Sequence, residues 1–209
     1  AAFSPGEGFH VFFLDGRLMW MRREVQVGMA VVERITLSTW GRDKAPEDGA
    51  QRPPDYTSYG HNVEFAWLMI RAEQVLGRPP SWPHFYAHLD HALRYGCDRE
   101  RGGIYARGVG DQPATDTSKV WWAAAEWVAA LSDALKHQPN PAYQEALLKQ
   151  LAFVRQYQMD PKDGIWLDTV AADGQPKSTG KAHNWKANYH DVRAIVKFIE
   201  AFENPPSPK

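Results

Sequence analysis

The chain has 209 residues, and 24 Lys and Arg against 25 Asp and Glu leave a formal net charge of −1. That balance argues against a nucleic-acid or acidic-membrane binder working through bulk charge. The length suits one domain, or a domain and a half, of roughly 100–200 residues per domain. One cysteine, Cys97, excludes an internal disulfide framework and a cysteine-based zinc cluster. No apolar run reaches the ~18 residues of a membrane span. The lack of a disulfide framework leads to the expectation of a cytoplasmic setting. Nine tryptophans and 12% aromatic residues are a high share. Trp and Tyr fill cores, and they also make stacking floors for flat or apolar ligand faces.

Residues 9–37 read as strand. Phe9 to Leu14 is rich in β-formers, Asp15-Gly16 is a hairpin turn signal, and Arg17 to Trp20 reads as the return strand. Glu24 to Val27 alternates polar and apolar, and Val31 to Leu37 continues in β-branched residues. Residues 40–58 are polar and rich in Pro and Gly, which predicts a long loop.

From Gly60 the period becomes helical. The spacing predicts helices over 61–76, 83–95, 118–137, 141–159 and 188–202. Ser81 is the expected N-cap of the second and Asn140 that of the fourth, with Pro141 at its first helical position. Gly102-Gly103-Ile104-Tyr105 and Asp163-Gly164-Ile165-Trp166 are alike links after the second and fourth helices. Helix pairs joined this way predict an α-hairpin array, a solenoid or a toroid.

Three helix starts carry polar pairs. His61 and Glu64 lie at i and i+3, Trp122 and Glu126 at i and i+4, and His190 and Arg193 at i and i+3, so each pair shares a face. Alone, each also fits an ordinary helix, as a cap, a dipole-satisfying acid or a core Trp beside a surface Glu. A Trp with an acid one turn later can also serve as a sugar floor and hydroxyl acceptor. A His at a helix N-terminus is held toward its neutral form, which can act as a base near pH 7. His84, His88 and His91 share a face of the second helix, but no HExxH pattern accompanies them. They read as a solvated or interfacial face, and no metal site is expected. No GxGxxG, Walker A or GxSxG pattern occurs, and Cys97 lacks a nucleophile signature.

Together the segments resemble one family. Tyr59-Gly60-His61-Asn62-Val63-Glu64 with Ala66-Trp67-Leu68 resembles the GHxxE helix start of the N-acylglucosamine 2-epimerase superfamily, nearest its cellobiose 2-epimerase branch. Lys119-Val120-Trp121-Trp122 with Ala125-Glu126 resembles its K-x-W-W-x-x-A-E segment. Trp185-Lys186, Tyr189-His190 and Arg193-Ala194 resemble its W-K-x-x-Y-H-x-x-R-A segment. The order matches over about Tyr59 to Phe202. The branch usually has Gln at Ala124 and Pro at Asn188, which leaves sugar preference open.

The resemblance implies a mainly α fold of the (α/α)6 toroid type. Here it would be about the second half of the barrel, with five main helices over 59–204. A β-strand segment and long loop over 1–58 would precede them, and a tail over 205–209 would follow. The resemblance also implies an isomerase acting at C2 of a reducing-end aldose of the cellobiose, glucose or mannose type. No cofactor is implied. Proton removal would give an enediolate, with His61 and His190 as the acid–base pair. Glu64 would hold a sugar hydroxyl or orient His61, Trp122 would stack on the sugar, and Glu126 would bond its hydroxyls. Arg193 would position His190 or a substrate oxygen. Trp67 is expected as a wall, and Trp121 and Trp185 stay open between core and pocket. Three rivals remain: aldose–ketose isomerisation of mannose, a sugar-binding half-barrel without turnover, and glycoside hydrolysis by a carboxylate pair. The family toroid draws further polar residues from its first half. The expected partners are therefore a sugar and a missing N-terminal segment or second chain, with no nucleic acid and no membrane.

Overall fold

The computed structural model describes residues 9–14, 17–22 and 56–203. β1 (Phe9–Leu14) and β2 (Arg17–Arg22) pair antiparallel, with Leu14 opposite Arg17, as the sequence predicts. The predicted turn at Asp15-Gly16, the strands at 24–27 and 31–37, and the tail at 205–209 lie outside the described residues.

β3 (Tyr56–Ser58) runs directly into α1 (Tyr59–Val75), so the end of the predicted loop is a strand. Then come α2 (Trp82–His91), β4 (Arg107–Val109), β5 (Lys119–Val120), α3 (Trp121–His137), α4 (Pro141–Phe153), β6 (Thr169–Val170), β7 (Pro176–Ser178) and α5 (Tyr189–Phe202). β3 pairs antiparallel with β4, and β5, β6 and β7 form a second antiparallel sheet. These short ladders fix where α1 and α3 begin. The helix predicted from residue 118 starts at Trp121 because Lys119 and Val120 pair with Val170 and Thr169. The predicted 83–95 and 141–159 helices also end differently. Each closes in a wider π-helical turn, Ala92–Gly96 and Val154–Gln158.

α3 lies at the centre, packed on α1, α4 and α5, while α2 packs on α1. The apolar faces meet in a core that includes Tyr59, Val63, Phe85, Leu89, Trp127 and Leu147. Burying each large side chain contributes about 1.5–3 kcal/mol. A run of alanines on α3 lets its neighbours come close. Gly60 is required where α1 meets it, since a Cβ there would stand 2.7 Å from both Ala123 Cβ and Trp122. No helix among the described residues is long and apolar enough to cross a membrane.

The predicted caps divide. Asn140 accepts from the backbone N–H groups of Ala142 and Tyr143, as expected. Ser81 does not cap α2. Its N–H and hydroxyl both bond the buried Glu73 carboxylate at 2.6 Å, tying α2 back to α1.

The two alike links are built alike. Cys97 bridges Ile104, and Met159 bridges Trp166. Asp98 accepts from the N–H groups of Glu100 and Arg101, and Asp160 from that of Lys162. A lysine 21 residues after Asp98, Lys119, donates to it at 2.8 Å and to the Gly102 carbonyl at 2.6 Å. Lys181, equally far after Asp160, bonds Asp160 and Asp163. The surroundings differ. Lys119 is 1% exposed, with its Nζ 3.8 Å from the Phe153 ring, whereas Lys181 is open to solvent. Burial pulls the Lys119 ammonium below its ordinary range, opposed by Asp98.

Of the three histidines of α2, read as a solvated or interfacial face, His88 and His91 turn into the protein. His88 is 4% exposed and meets Phe65 edge-on, and His91 bonds the Gly110 carbonyl. Burial, with the fields of His91 and His84 added, pushes the His88 imidazole down to about 4.

Two predictions follow from this packing. Lys119→Met should cost about 3 kcal/mol in urea unfolding, because it leaves the largely buried Asp98 carboxylate without its ammonium partner. Lys181→Met should leave the midpoint nearly unchanged, and equal effects would contradict the assignment. His88 takes its proton in the unfolded chain near pH 6.5 but in the folded chain only near 4. Its contribution is complete above pH 6.5, and about 3 kcal/mol is lost as pH falls toward 4. His88→Leu should flatten that acid limb, and an unchanged limb would refute it.

Candidate active site

The polar side chains of α1, α3 and α5 converge near the helix N-termini. His61 is the third residue of α1, Trp122 the second of α3 and His190 the second of α5. The indole of Trp122 lies against both imidazoles, 4.3 Å from the His61 ring and 6.0 Å from the His190 ring, centroid to centroid.

Glu126, one turn further along α3, has no exposed surface. Its Oε2 accepts from Trp67 Nε1–H at 2.7 Å, and its Oε1 accepts from His190 Nδ1–H at 2.5 Å. An Arg193 N–H donates to the same Oε1 and also reaches Glu64 Oε1 at 3.4 Å. The guanidinium lies over the Trp67 ring at 4.7 Å and remains 30% exposed. A neutral His190 with its proton on Nδ1 presents a bare Nε2. When it is doubly protonated, the carboxylate stabilises the cation.

His61 has a different environment. Its Nδ1 lies 2.7 Å from the Ser58 hydroxyl. Burial drives its imidazole well below the ordinary range, and the positive fields of Arg107 and His190 push it further. His61 is therefore neutral at pH 7.

The surroundings of the expected residues differ from one to the next. Glu126, expected as a hydroxyl acceptor, is fully buried and bonds protein donors through both oxygens, so it presents no exposed oxygen to a sugar. Trp67 is a wall rather than a contact, buried with its N–H spent on Glu126 and with Arg193 and Lys197 over its ring. Trp121 is buried behind His190, edge-on to it and to His183, so it belongs to the wall as well. Glu64 meets Arg193, in keeping with a charge-balanced floor. Trp122 and Arg193 keep accessible surface beside the histidines, whereas Trp185 is 72% exposed.

The sequence reading missed Ser58, hidden in the predicted loop, Tyr189, whose ring lies 3.9 Å from that of His190, and Arg107, on a separate strand. Tyr189 was visible within its motif. Nothing local marked the other two.

Glu64, Glu126 and His190 bring one ligand atom each within 4.8 Å of one another, a spacing able to hold a metal ion. The Arg193 guanidinium bonds both carboxylates of that group, so a cation already balances them. A separate cavity of about 270 Å³ lies away from the imidazoles, against Leu93, Cys97, Trp127, Ala146 and Lys149. Burial pushes the Cys97 thiol there up to about 12, which leaves it unreactive.

A family model described as N-acylglucosamine 2-epimerase (GlcNAc 2-epimerase) matches residues 18–194. Cellobiose 2-epimerase of Ruminococcus albus is 29% identical over 150 residues, covering 69% of this chain and 38% of that protein. Cellobiose 2-epimerase of Eubacterium cellulosolvens is 24% identical over 148 residues, covering 70% and 36%. The solved cellobiose 2-epimerase of Bacillus thermoamylovorans B4167 is 27% identical with a TM-score of 0.63, covering 70% of this chain and 38% of that one. A crystal structure of D-mannose isomerase shares the fold at a TM-score of 0.63 and 22% identity. The chain thus spans less than half the length of the curated relatives it matches. With the match extending over most of its length, the chain belongs to the N-acylglucosamine 2-epimerase family.

Proposed function

We propose that this chain carries the acid–base centre of a carbohydrate 2-epimerase working at C2 of a reducing-end aldose of the cellobiose, glucose or mannose type. The carrying observation is the pair of unlike imidazoles on one indole. His61 is held neutral by burial, and His190 is backed by a buried carboxylate that stabilises its cation.

Neutral His61 takes the C2 proton of the open-chain sugar through Nε2. The C–H electron pair becomes the C1–C2 double bond of an enediolate, and the negative charge moves to O1. Protonated His190 then returns a proton to C2 from the other face, and the sugar leaves as its epimer. The reverse reaction exchanges the two roles. Arg193, cationic and partly exposed, offers a charge for the enediolate, and such stabilisation in a closed site is worth several kcal/mol. Trp122 supplies the stacking surface. In this reading the chain is an arc of a toroid, and further helices complete the pocket around the sugar.

Hydrolysis fits the geometry poorly. A glycosidase sets two carboxyl groups on either side of the scissile bond, roughly 5–9.5 Å apart. Here Glu64 and Glu126 both bond Arg193, with ligand atoms within 4.8 Å.

Proton NMR in D2O tests the proposal, with cellobiose, glucose and mannose as substrates. Solvent deuterium should enter C2, and His61→Ala and His190→Ala should each slow entry by about 10²–10⁴-fold. Wild-type exchange in both variants, or release of glucose from cellobiose, would overturn it.

A further inference from the structure

Helix N-cap serines accept a hydrogen bond from the N–H of the second or third helical residue, and losing that bond costs about 1 kcal/mol. Asn140 performs this task on α4. Ser58 occupies the same position on α1, in extended conformation, yet its side chain makes no capping bond. Its Oγ lies instead 2.7 Å from Nδ1 of His61, three residues on. The β3–β4 ladder, with Ser58 opposite Arg107, holds the backbone in place of the cap. Ser58 is buried. A hydroxyl that could stabilise the helix is thus aimed at an imidazole.

We propose that Ser58 is a positioning residue that accepts the Nδ1–H of His61, fixes its tautomer and leaves Nε2 as the reactive nitrogen. This rests on the reading of His61 as an acid–base group. To remove a C–H proton, Nε2 must carry none, so the proton of the neutral ring sits on Nδ1. Once Nε2 is protonated, Nδ1–H still donates to the same oxygen, and the ring need not turn. A carboxylate would fix the same tautomer, as Glu126 does for His190. It would also stabilise the His61 cation and make the two histidines alike. A neutral hydroxyl orients the ring without adding charge, so His61 keeps the unprotonated resting form that its burial favours.

The test is the ring nitrogen NMR of His61 in the chain at pH 7, assigned by its loss in His61→Ala. The wild type and Ser58→Thr should show Nδ1 protonated and Nε2 bare. Ser58→Ala should shift the population toward Nε2–H and lower kcat for C2 exchange about 10-fold with little change in KM, with recovery in Ser58→Thr. An Nε2–H tautomer in the wild type overturns the proposal without any variant. An unchanged tautomer in Ser58→Ala overturns it too. Absence of exchange in a wild type that holds the Nδ1–H tautomer would fail the functional reading and leave the Ser58 assignment standing.

Discussion

Moving a carboxylate out of water costs several kcal/mol, and Glu126 has no exposed surface at all. The cost is offset only by partners that reach both oxygens, and those partners come from the two helices flanking α3. Trp67 of α1 donates to one oxygen, and His190 and Arg193 of α5 donate to the other. Glu126 therefore does more than balance charge. It ties three helices together at the level where their first turns present His61, Trp122 and His190. Removing any donor would leave a buried anion less compensated, so packing and site geometry depend on the same contacts.

This arrangement needs close helix approach and fixed helix starts. Alanines on α3 and Gly60 on α1 supply the first. The short strands β3 and β5 supply the second, because a ladder that stops at Ser58 or Val120 sets the rotation of the helix that follows. Lys119 anchors one of these starts. Its backbone pairs in β5 while its ammonium closes the Asp98–Gly102 link. The lysine two residues before the paired tryptophans thus steadies the strand from which Trp122 emerges.

Much of this was legible in the sequence. Apolar spacing placed five helices, and alike Gly-aromatic links marked their pairing. Polar pairs at i and i+3 or i+4 selected the helix starts that form the site. Spacing shows which residues share a face, but not how deep that face lies. Glu126 therefore read as a hydroxyl acceptor, and His88 as part of a solvated or interfacial face. Burial comes from partners 59 and 64 residues away in the case of Glu126, which no local window contains. Helix ends were misjudged for a related reason. Strand pairing between Lys119 and Val170 outweighs the helical preference of residues 118–120. Ser58 was lost because a three-residue strand at the end of a polar stretch has no period to detect.

The buried carboxylate's hold on His190 can be read directly from its Nδ1 proton. An imidazole N–H that donates to a buried carboxylate, as His190 does to Glu126, resonates far downfield of ordinary amides. The account predicts such a resonance in the wild type, absent in His190→Ala and moved upfield in Glu126→Gln, where a neutral amide replaces the anion. A wild-type spectrum without it, or a resonance unmoved in Glu126→Gln, would contradict the role assigned to Glu126.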